Sequence, residues 1–206
     1  MSTAKFITLE GGEGVGKTTN LEVIEEFLSR RKVRFVRTRE PGGTSVGEAI
    51  RGLLLGFEDT EAETELLLVF AARAQHVKQV IRPALAAGTW VVSDRFTDAS
   101  YAYQGGGRGL DPCVIAFLED WVQDGLQPDL TLLLDAPADV GMERARSRGQ
   151  SDRFESETPA FFERVREAYL ERAARHQDRI RRIDASRPLA AVRADILGHL
   201  NALLQR

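Results

Sequence analysis

Short apolar runs and amphipathic stretches alternate along nearly the whole chain. The runs are rich in β-branched and aromatic residues and predict five strands, at residues 5–9, 33–38, 90–93, 130–134 and 179–183. Between them, apolar residues recur every three or four positions, as at Leu21, Ile24 and Leu28, which predicts helices. Such alternation is typical of α/β folds. We therefore predict a three-layer sandwich, with a five-stranded parallel sheet between two layers of helices.

Turn and cap residues locate the predicted helices. Asp111 before Pro112, and Thr158 before Pro159, combine a capping side chain with the ring that suits the first helical turn. A long helical stretch at 61–87 contains Pro83, where we expect a kink, and it stops at Gly88. The remaining predicted helices cover 19–31, 46–55 and 137–148, and a last helix follows Pro188.

A glycine-rich loop follows the first predicted strand. Residues 11–18 read GGEGVGKT and fit the pattern G-x-x-x-x-G-K-[ST]. Glycines let the backbone N–H groups surround phosphate oxygens, and a helix that begins near Lys17 adds its positive end. Lys17 would reach the outer phosphates, and the Thr18 hydroxyl would bind Mg²⁺. The predicted phosphate-binding residues are Gly11, Gly12, Glu13, Gly14, Val15, Gly16, Lys17, Thr18 and Thr19.

Charged residues follow the other predicted strands. Arg39 and Glu40 come after the second strand, Asp94 and Arg95 after the third, and Asp135 after the fourth. Parallel α/β sheets bind ligands beyond the carboxyl ends of their strands, so these groups should meet the glycine loop there. We predict that Asp94 holds Mg²⁺ through water and that Arg95 bridges the donor and acceptor phosphates.

Arginines are concentrated at positions 144–153. They surround Gly149, and Arg144 and Arg148 lie four residues apart on one predicted helix face. Phosphoryl transfer depends on positioning the reactants and neutralising charge, which arginines can do. We therefore predict a mobile lid at about 144–157 that folds its arginines over the phosphates. A basic, solvated helix end is the alternative that the charge pattern leaves open.

Composition narrows the class of protein. The 206 residues include 43% hydrophobic residues, which suits a single domain over 1–206. The net charge of -3 argues against a nucleic-acid partner, since a broad nucleic-acid surface needs a basic excess. Residues 1–20 lack the hydrophobic block of a signal peptide, and no apolar run approaches membrane-spanning length. We expect a cytoplasmic protein with no membrane partner.

Several other residues are expected to have structural roles. We expect Cys113 to be a buried thiol, because it lies in an apolar helical stretch. His76 is expected in solvent on a charged helix, and the pair Asp178–Arg179 at the surface. The glycines at 105–109 are expected to allow tight turns.

Taken together, the motifs resemble those of the thymidylate kinase family, which phosphorylates dTMP to dTDP with ATP. The similarity covers nearly the whole chain in the family's order, and the combination of REPGGT with YQGGGRG is specific to this family. The matching segments are 10–19, 38–44, 51–55, 71–76, 94–96, 102–110, 128–131, 134–135, 152–155 and 183–185.

The resemblance implies a nucleoside monophosphate kinase of the P-loop NTPase fold that serves dTTP biosynthesis. It also implies ATP and Mg²⁺ as cofactors and a homodimeric assembly. Glu13 would accept a hydrogen bond from the 3′-hydroxyl of dTMP. Arg51 and Arg95 would hold its phosphate, with Glu40 orienting the arginines nearby.

The resemblance also implies how the base and sugar are recognised. Arg73 would bond the thymine carbonyl, Ser100 and Gln104 would read the base, and Tyr103 would crowd the 2′ position. Many members stack an aromatic ring on thymine from the position that Val69 occupies here, and Phe70, one residue later, is the aromatic candidate. Some members also carry a catalytic arginine in the phosphate loop. This loop has none, so Arg148 or Arg153 would compensate from the lid.

Other functions are open to a chain with this loop. A GTP-binding switch normally carries Asn-Lys-x-Asp, but the only asparagines are Asn20 and Asn201, and neither precedes a lysine. A monophosphate kinase for another base would share the fold and the loop. A nucleotide-binding module without activity would not need Lys17, Asp94, Arg95 and the lid arginines together.

Overall fold

The computed structural model describes residues 4–57, 59–146 and 157–205. Within these ranges, five strands form one parallel sheet in the order β2-β3-β1-β4-β5. The strands are β1 (Phe6–Glu10), β2 (Phe35–Arg39), β3 (Trp90–Asp94), β4 (Leu130–Asp135) and β5 (Ile180–Asp184). None of the helices in the described ranges has the length and apolar character that a membrane span requires.

Nine α-helices and two π-helical segments lie in the same described ranges. The α-helices are α1 (Lys17–Arg30), α2 (Ser45–Gly56), α3 (Ala62–His76), α4 (Arg82–Ala86), α5 (Thr97–Ser100), α6 (Pro112–Gln123), α7 (Ala138–Arg146), α8 (Pro159–Arg175) and α9 (Leu189–Leu204). The π-helical segments are Val77–Ile81 and Tyr101–Gly107. The predicted sheet and its alternation with helices are confirmed.

Helices cover both faces of the sheet. On one face, Leu9 of β1 and Leu132 of β4 belong to a core that includes Ile24 of α1 and Ile196 of α9. On the other face, Phe6 of β1 packs with residues of the first π-helical segment, and Leu133 of β4 packs with residues of α8. Neighbouring positions of a strand therefore serve opposite cores, as expected for strands buried on both sides.

The helical stretch predicted over 61–87 continues through Pro83, where we expected a kink. The chain is helical from Ala62 to Ala86, and it widens into the π-helical turn Val77–Ile81 just before Pro83. A proline has no N–H to donate and its ring crowds the preceding turn, so a local widening accommodates it. The helices predicted after Asp111 and Thr158 are confirmed, because each side chain accepts a hydrogen bond from the first turn.

The glycines at 105–109 serve close packing rather than a simple turn. The segment Tyr101–Gly107 packs against α8, and a Cβ atom on Gly106 would lie 2.7 Å from the carbonyl oxygen of Arg164. That separation is too short for a side chain, so only glycine fits there. The expected tight turn is confined to the end of the stretch at Gly109, where φ is +79°.

Two residues lie in environments opposite to those expected. Cys113 is exposed at the first turn of α6, so the prediction of a buried thiol is wrong. Arg179 is buried, and it donates hydrogen bonds to both carboxylate oxygens of Asp98, at 2.7 and 3.0 Å. The prediction of a surface position for Arg179 is therefore wrong, because this ion pair satisfies its charge inside the protein.

Candidate active site

The glycine loop connects β1 to α1 at the carboxyl edge of the sheet. Gly14 has a φ of +69°, and a Cβ atom there would come within 1.8 Å of the carbonyl oxygen of Gly141. Gly16 precedes α1 in the left-handed conformation, and no side chain caps the helix. The positive end of α1 is therefore available to bind an anion such as phosphate. Thr18 and Thr19 lie exposed on its first turn.

Lys17 bends back over the loop that precedes it. Its Nζ donates hydrogen bonds to the carbonyl oxygens of Gly11, at 3.0 Å, and Gly12, at 2.7 Å. The side chain is largely buried, and burial together with the positive charge of Arg95 lowers the pKa of Lys17. The loop thus holds one ammonium group among its own backbone dipoles, beside the end of α1.

A cleft with about 580 Å³ of space opens beside this loop. Its charged lining residues are Glu13, Glu40, Arg51, Arg73 and Arg95, and its polar ones are Ser100, Tyr103 and Gln104. The structure thus brings together eight of the nine side chains that were predicted to bind the acceptor nucleotide. Arg51 reaches it from α2 and donates a hydrogen bond to the carbonyl oxygen of Pro41 at 3.2 Å.

Glu13 belongs to both the glycine loop and the cleft. Its Oε1 accepts hydrogen bonds from Arg95 and from the hydroxyl of Tyr103, the latter at 3.0 Å. Arg95 also donates to the Tyr103 oxygen at 2.9 Å. Burial opposes ionisation of Glu13, but the charges of Arg95 and Lys17 hold its pKa well below the usual range. The three side chains therefore form a charged, mutually bonded group at the junction of loop and cleft.

A second buried group lies around Glu40, which follows β2. Its Oε2 accepts from Nε of Arg73 at 2.7 Å, and its Oε1 accepts from Nδ1 of His76 at 2.8 Å. Burial opposes ionisation of Glu40, but Arg73 and His76 lower its pKa. The expectation that His76 lies in solvent is wrong, because this carboxylate and the Thr38 hydroxyl draw it into the interior.

Arg73 is oriented so that one nitrogen remains available. Its Nη2 donates to the carbonyl oxygen of Phe96 at 3.2 Å, while Nη1 is buried and has no hydrogen-bond partner in the described part of the chain. The guanidinium of Arg73 lies over the ring of Phe70, with its Cζ 4.5 Å from the ring centroid. Buried donors are normally satisfied, so an unpaired Nη1 at the cleft is typical of a binding group.

Phe70 lies behind the cleft. It packs with Leu66 of α3 and with Ile115 and Leu118 of α6, whereas Val69 lines the cleft wall. Phe70 therefore does not face the cleft here, and the ninth predicted contact, between its ring and the base, stays a prediction. The observed role of the ring is to support Arg73.

The polar groups predicted to read a base are arranged by residues that the sequence did not single out. Gln104 donates its amide N–H to Oε1 of Glu65 at 2.8 Å. Because a carboxylate only accepts, this bond leaves the amide oxygen of Gln104 to accept a further hydrogen bond. The hydroxyl of Ser100 is buried without a partner in the described ranges. Glu65 carries no sequence signal beyond an acidic residue in a helix.

Thr18 and Asp94 suit a hard cation. Oδ1 of Asp94 is buried at the end of β3 and has no hydrogen-bond partner among the described residues, while the Thr18 hydroxyl is exposed. No cluster of three or more His, Cys, Asp or Glu side chains forms a metal cage within those residues. This donor set fits Mg²⁺, which keeps several waters and binds phosphate oxygens with few protein ligands.

The predicted lid falls only partly within the described residues. Arg148 and Arg153 lie outside the described residues, so their predicted catalytic roles stay predictions. Arg144 of α7 donates a hydrogen bond to the carbonyl oxygen of Ala185 at 3.0 Å. Asp135 at the end of β4 binds Arg166 and Arg182, each at 2.7 Å. More arginines therefore surround the carboxyl edge of the sheet than the motifs alone indicated.

Comparisons with known proteins agree on one family. The family model described as thymidylate kinase matches residues 9–196. The thymidylate kinase of Methylococcus capsulatus is 58% identical over 204 residues, which cover 99% of this chain and 98% of that protein. The thymidylate kinase of Chromohalobacter salexigens is 59% identical over 208 residues, again 99% and 98% of the two chains. The crystal structure of thymidylate kinase from Ehrlichia chaffeensis matches with a TM-score of 0.80 at 32% identity, covering 97% of this chain and 99% of that one.

Proposed function

The chain belongs to the thymidylate kinase family, whose activity is phosphoryl transfer from ATP to dTMP, and from this premise we propose how its residues perform that transfer. The observation that carries the proposal is the place of Glu13. This residue is part of the phosphate loop and also lines the acceptor cleft, where it binds Arg95. The two nucleotides would therefore meet at Glu13 and Arg95.

The loop 11–19 would hold the ATP phosphates. Its backbone N–H groups and the uncapped end of α1 supply the fixed positive dipoles. Lys17 would exchange its hydrogen bonds with Gly11 and Gly12 for bonds to the outer phosphates, and its charge would stabilise the transition state. Arg148 and Arg153 would complete this charge from the lid, since the loop itself contains no arginine.

Thr18 and Asp94 would hold Mg²⁺, with Asp94 acting through water. The unpartnered, buried Oδ1 of Asp94 supports this assignment. When bound, the ion supplies neutralisation of the phosphate charge that develops during transfer.

Arg51 and Arg95 would bind the phosphate of dTMP, since both guanidinium groups line the cleft. Glu13 would accept a hydrogen bond from the 3′-hydroxyl. The Tyr103 ring would fill the space beside the sugar and disfavour a 2′-hydroxyl. Glu40 would act indirectly, by orienting Arg73.

The polar groups at the far side of the cleft fit thymine. Its carbonyl oxygen would accept from the unpaired Nη1 of Arg73, and its N3–H would donate to the amide oxygen that Glu65 leaves available on Gln104. The unpaired hydroxyl of Ser100 would add a third bond. A site built from such buried groups rejects bases that leave them unpaired.

Assembly and location follow the family expectation. We propose a single domain over 1–206 that forms a homodimer in the cytoplasm. Exposed apolar side chains on α3 and α6 support a dimer surface, namely Leu67, Val114, Phe117 and Trp121. Clusters of exposed aromatic residues are typical of protein interfaces.

A coupled ADP-release assay tests the proposed function. The full chain is supplied with ATP, Mg²⁺ and, in turn, dTMP, dUMP, dCMP, dGMP and GMP. We expect the highest kcat/KM for dTMP and loss of turnover on chelation of Mg²⁺. A higher kcat/KM for another monophosphate would identify a kinase for that base. Nucleotide binding without turnover on any of them would identify a module without activity.

A further inference from the structure

The backbone of Arg95 is held in a conformation that a bulky residue rarely adopts. Its φ is +68°, in the left-handed region that disfavours any side chain with a Cβ. Three hydrogen bonds hold this turn: Arg95 N–H donates to the carbonyl oxygen of Leu9 at 3.0 Å, Ser93 Oγ donates to that of Arg95 at 2.7 Å, and Phe96 N–H donates to Oε1 of Glu10 at 2.7 Å. Only the third depends on an ionisable side chain.

Glu10 is a buried acid that the transfer mechanism does not use. It is the last residue of β1 and is fully excluded from solvent. Its second oxygen, Oε2, accepts a hydrogen bond from the Tyr169 hydroxyl at 2.8 Å. Burial and the nearby charge of Asp98 raise the pKa of Glu10 to about 8. Burial favours the neutral form of this acid, whereas the hydrogen bonds from Tyr169 and Phe96 favour its carboxylate form.

Tyr169 supports Arg95 in a second way. Its ring packs edge-on against the ring of Tyr103, with centroids 6.4 Å apart, and the Tyr103 hydroxyl bonds the guanidinium of Arg95. Tyr169 lies on α8, so one helix supports the backbone of Arg95 through Glu10 and its side chain through Tyr103.

We propose that Glu10, held in place by Tyr169, is the positioning residue that fixes the turn at Arg95 and so directs its guanidinium into the acceptor cleft. The inference rests on the proposed role of Arg95 in binding the dTMP phosphate. It assigns Glu10 no contact with either nucleotide.

Three variants of the full chain test this role by steady-state kinetics. Glu10→Met keeps the length of the side chain but leaves the Phe96 N–H unpaired, and we expect KM for dTMP to rise and kcat to fall by about tenfold or more. Glu10→Gln keeps an acceptor for Phe96, and we expect both constants within about threefold of the parent. Tyr169→Phe keeps the ring and removes only the hydroxyl, with an expected rise in KM for dTMP of roughly threefold to tenfold. KM for ATP should change little in all three.

Two controls separate positioning from stability and from the role of Arg95. Leu203→Ala in α9 removes core volume away from the cleft and should lower the melting temperature without raising KM for dTMP. Arg95→Ala tests the underlying assignment. If Arg95→Ala leaves KM for dTMP unchanged, the proposed function of Arg95 fails. If Arg95→Ala impairs the enzyme while Tyr169→Phe and Glu10→Met behave like Leu203→Ala, the inference about Glu10 alone is overturned. If Glu10→Met does not fold, the comparison of Tyr169→Phe with Leu203→Ala decides the test.

Discussion

Arg73 and Glu40 form a buried ion pair in which Nε of the arginine donates to Oε2 of the glutamate at 2.7 Å. The pair joins α3 to the segment after β2, and both side chains are at most 4% exposed. Arg73 uses a second nitrogen on the carbonyl oxygen of Phe96, so its remaining Nη1 has a fixed direction. A planar guanidinium can make these bonds at once, whereas an ammonium group is a single point charge.

Arg73→Lys should therefore weaken substrate binding without unfolding the protein. The lysine retains a positive charge for Glu40 but cannot also present a donor to the base. We expect KM for dTMP to rise by about tenfold to a hundredfold, with a smaller change in kcat. Steady-state kinetics at varied dTMP checks this, with Arg82→Lys as the control, because Arg82 binds backbone carbonyls outside the cleft. An unchanged KM would remove Arg73 from the base site.

Lys17→Ala should abolish most turnover. The substitution removes the ammonium group that the loop holds beside α1, and the transition state loses that charge. We expect kcat to fall by about a thousandfold or more, while circular dichroism stays native. Lys78→Ala is the matched control, because Lys78 is exposed on the first π-helical segment. Near-normal turnover of the Lys17 variant would contradict the proposed role of the loop.

The lid arginines should act mainly on the chemical step. Arg148→Ala or Arg153→Ala removes charge that is needed most when the phosphoryl group is in transit. We expect kcat to fall by about tenfold or more with a smaller rise in KM for ATP. Arg175→Ala serves as the control, since Arg175 is an exposed arginine at the end of α8 that pairs with Glu171. A rise in KM alone would reduce the lid to a binding role.

Glu10 should make stability depend on pH. Its pKa is about 8 in the folded state, raised by burial and by Asp98, against an ordinary value of 4.5. Between these two values the folded protein retains a proton that the unfolded chain releases, so the free energy of unfolding falls as pH rises from about 5 to about 8. The hydrogen bonds from Tyr169 and Phe96 and the charge of Arg95 oppose this rise in pKa and limit the loss.

Glu10→Gln should remove that dependence. Chemical unfolding at pH 5, 6, 7 and 8 is expected to show that the free energy of unfolding of the variant rises relative to that of the parent chain as pH rises. The difference should reach a few kcal/mol at pH 8. Above pH 8 the difference should stay constant. A difference that does not change with pH would mean that Glu10 ionises normally in the folded protein.

Trp121 should matter for assembly. Its side chain is 75% exposed on α6, and Phe117, one turn earlier, is 67% exposed. We expect a dimer mass by light scattering for the parent chain and a monomer mass for Trp121→Glu, because a charge buried within an apolar interface is left unpaired. Leu189→Glu changes an exposed apolar residue on α9 instead and should remain dimeric. A monomeric parent chain would contradict the proposed dimer.

The glycine loop and the eight predicted residues that line the cleft were singled out because each lies in a motif with a fixed spacing or matches the family. Glu65 and Tyr169 were not singled out, and Glu10 appeared only as the first residue of the matching segment 10–19, because a buried acid and its partner lie far apart in the chain. His76 was assigned to solvent for the same reason, because its partners Thr38 and Glu40 lie at the end of β2, far from His76 in the chain.

Local patterns of the chain therefore determined the strands, the helices, their caps and the loop 11–18, since periodicity, cap residues and glycine spacing act over a few neighbouring residues. Tertiary structure decided which polar groups that are distant in the chain are paired. Arg179 lies inside because Asp98 lies opposite it, and Cys113 lies outside because the start of α6 faces away from the core. It also decided that Val69 lines the cleft while Phe70 packs behind it. Adjacent helical positions point about 100° apart, and only the packing of α3 against its neighbours selects which of the two side chains faces the cleft.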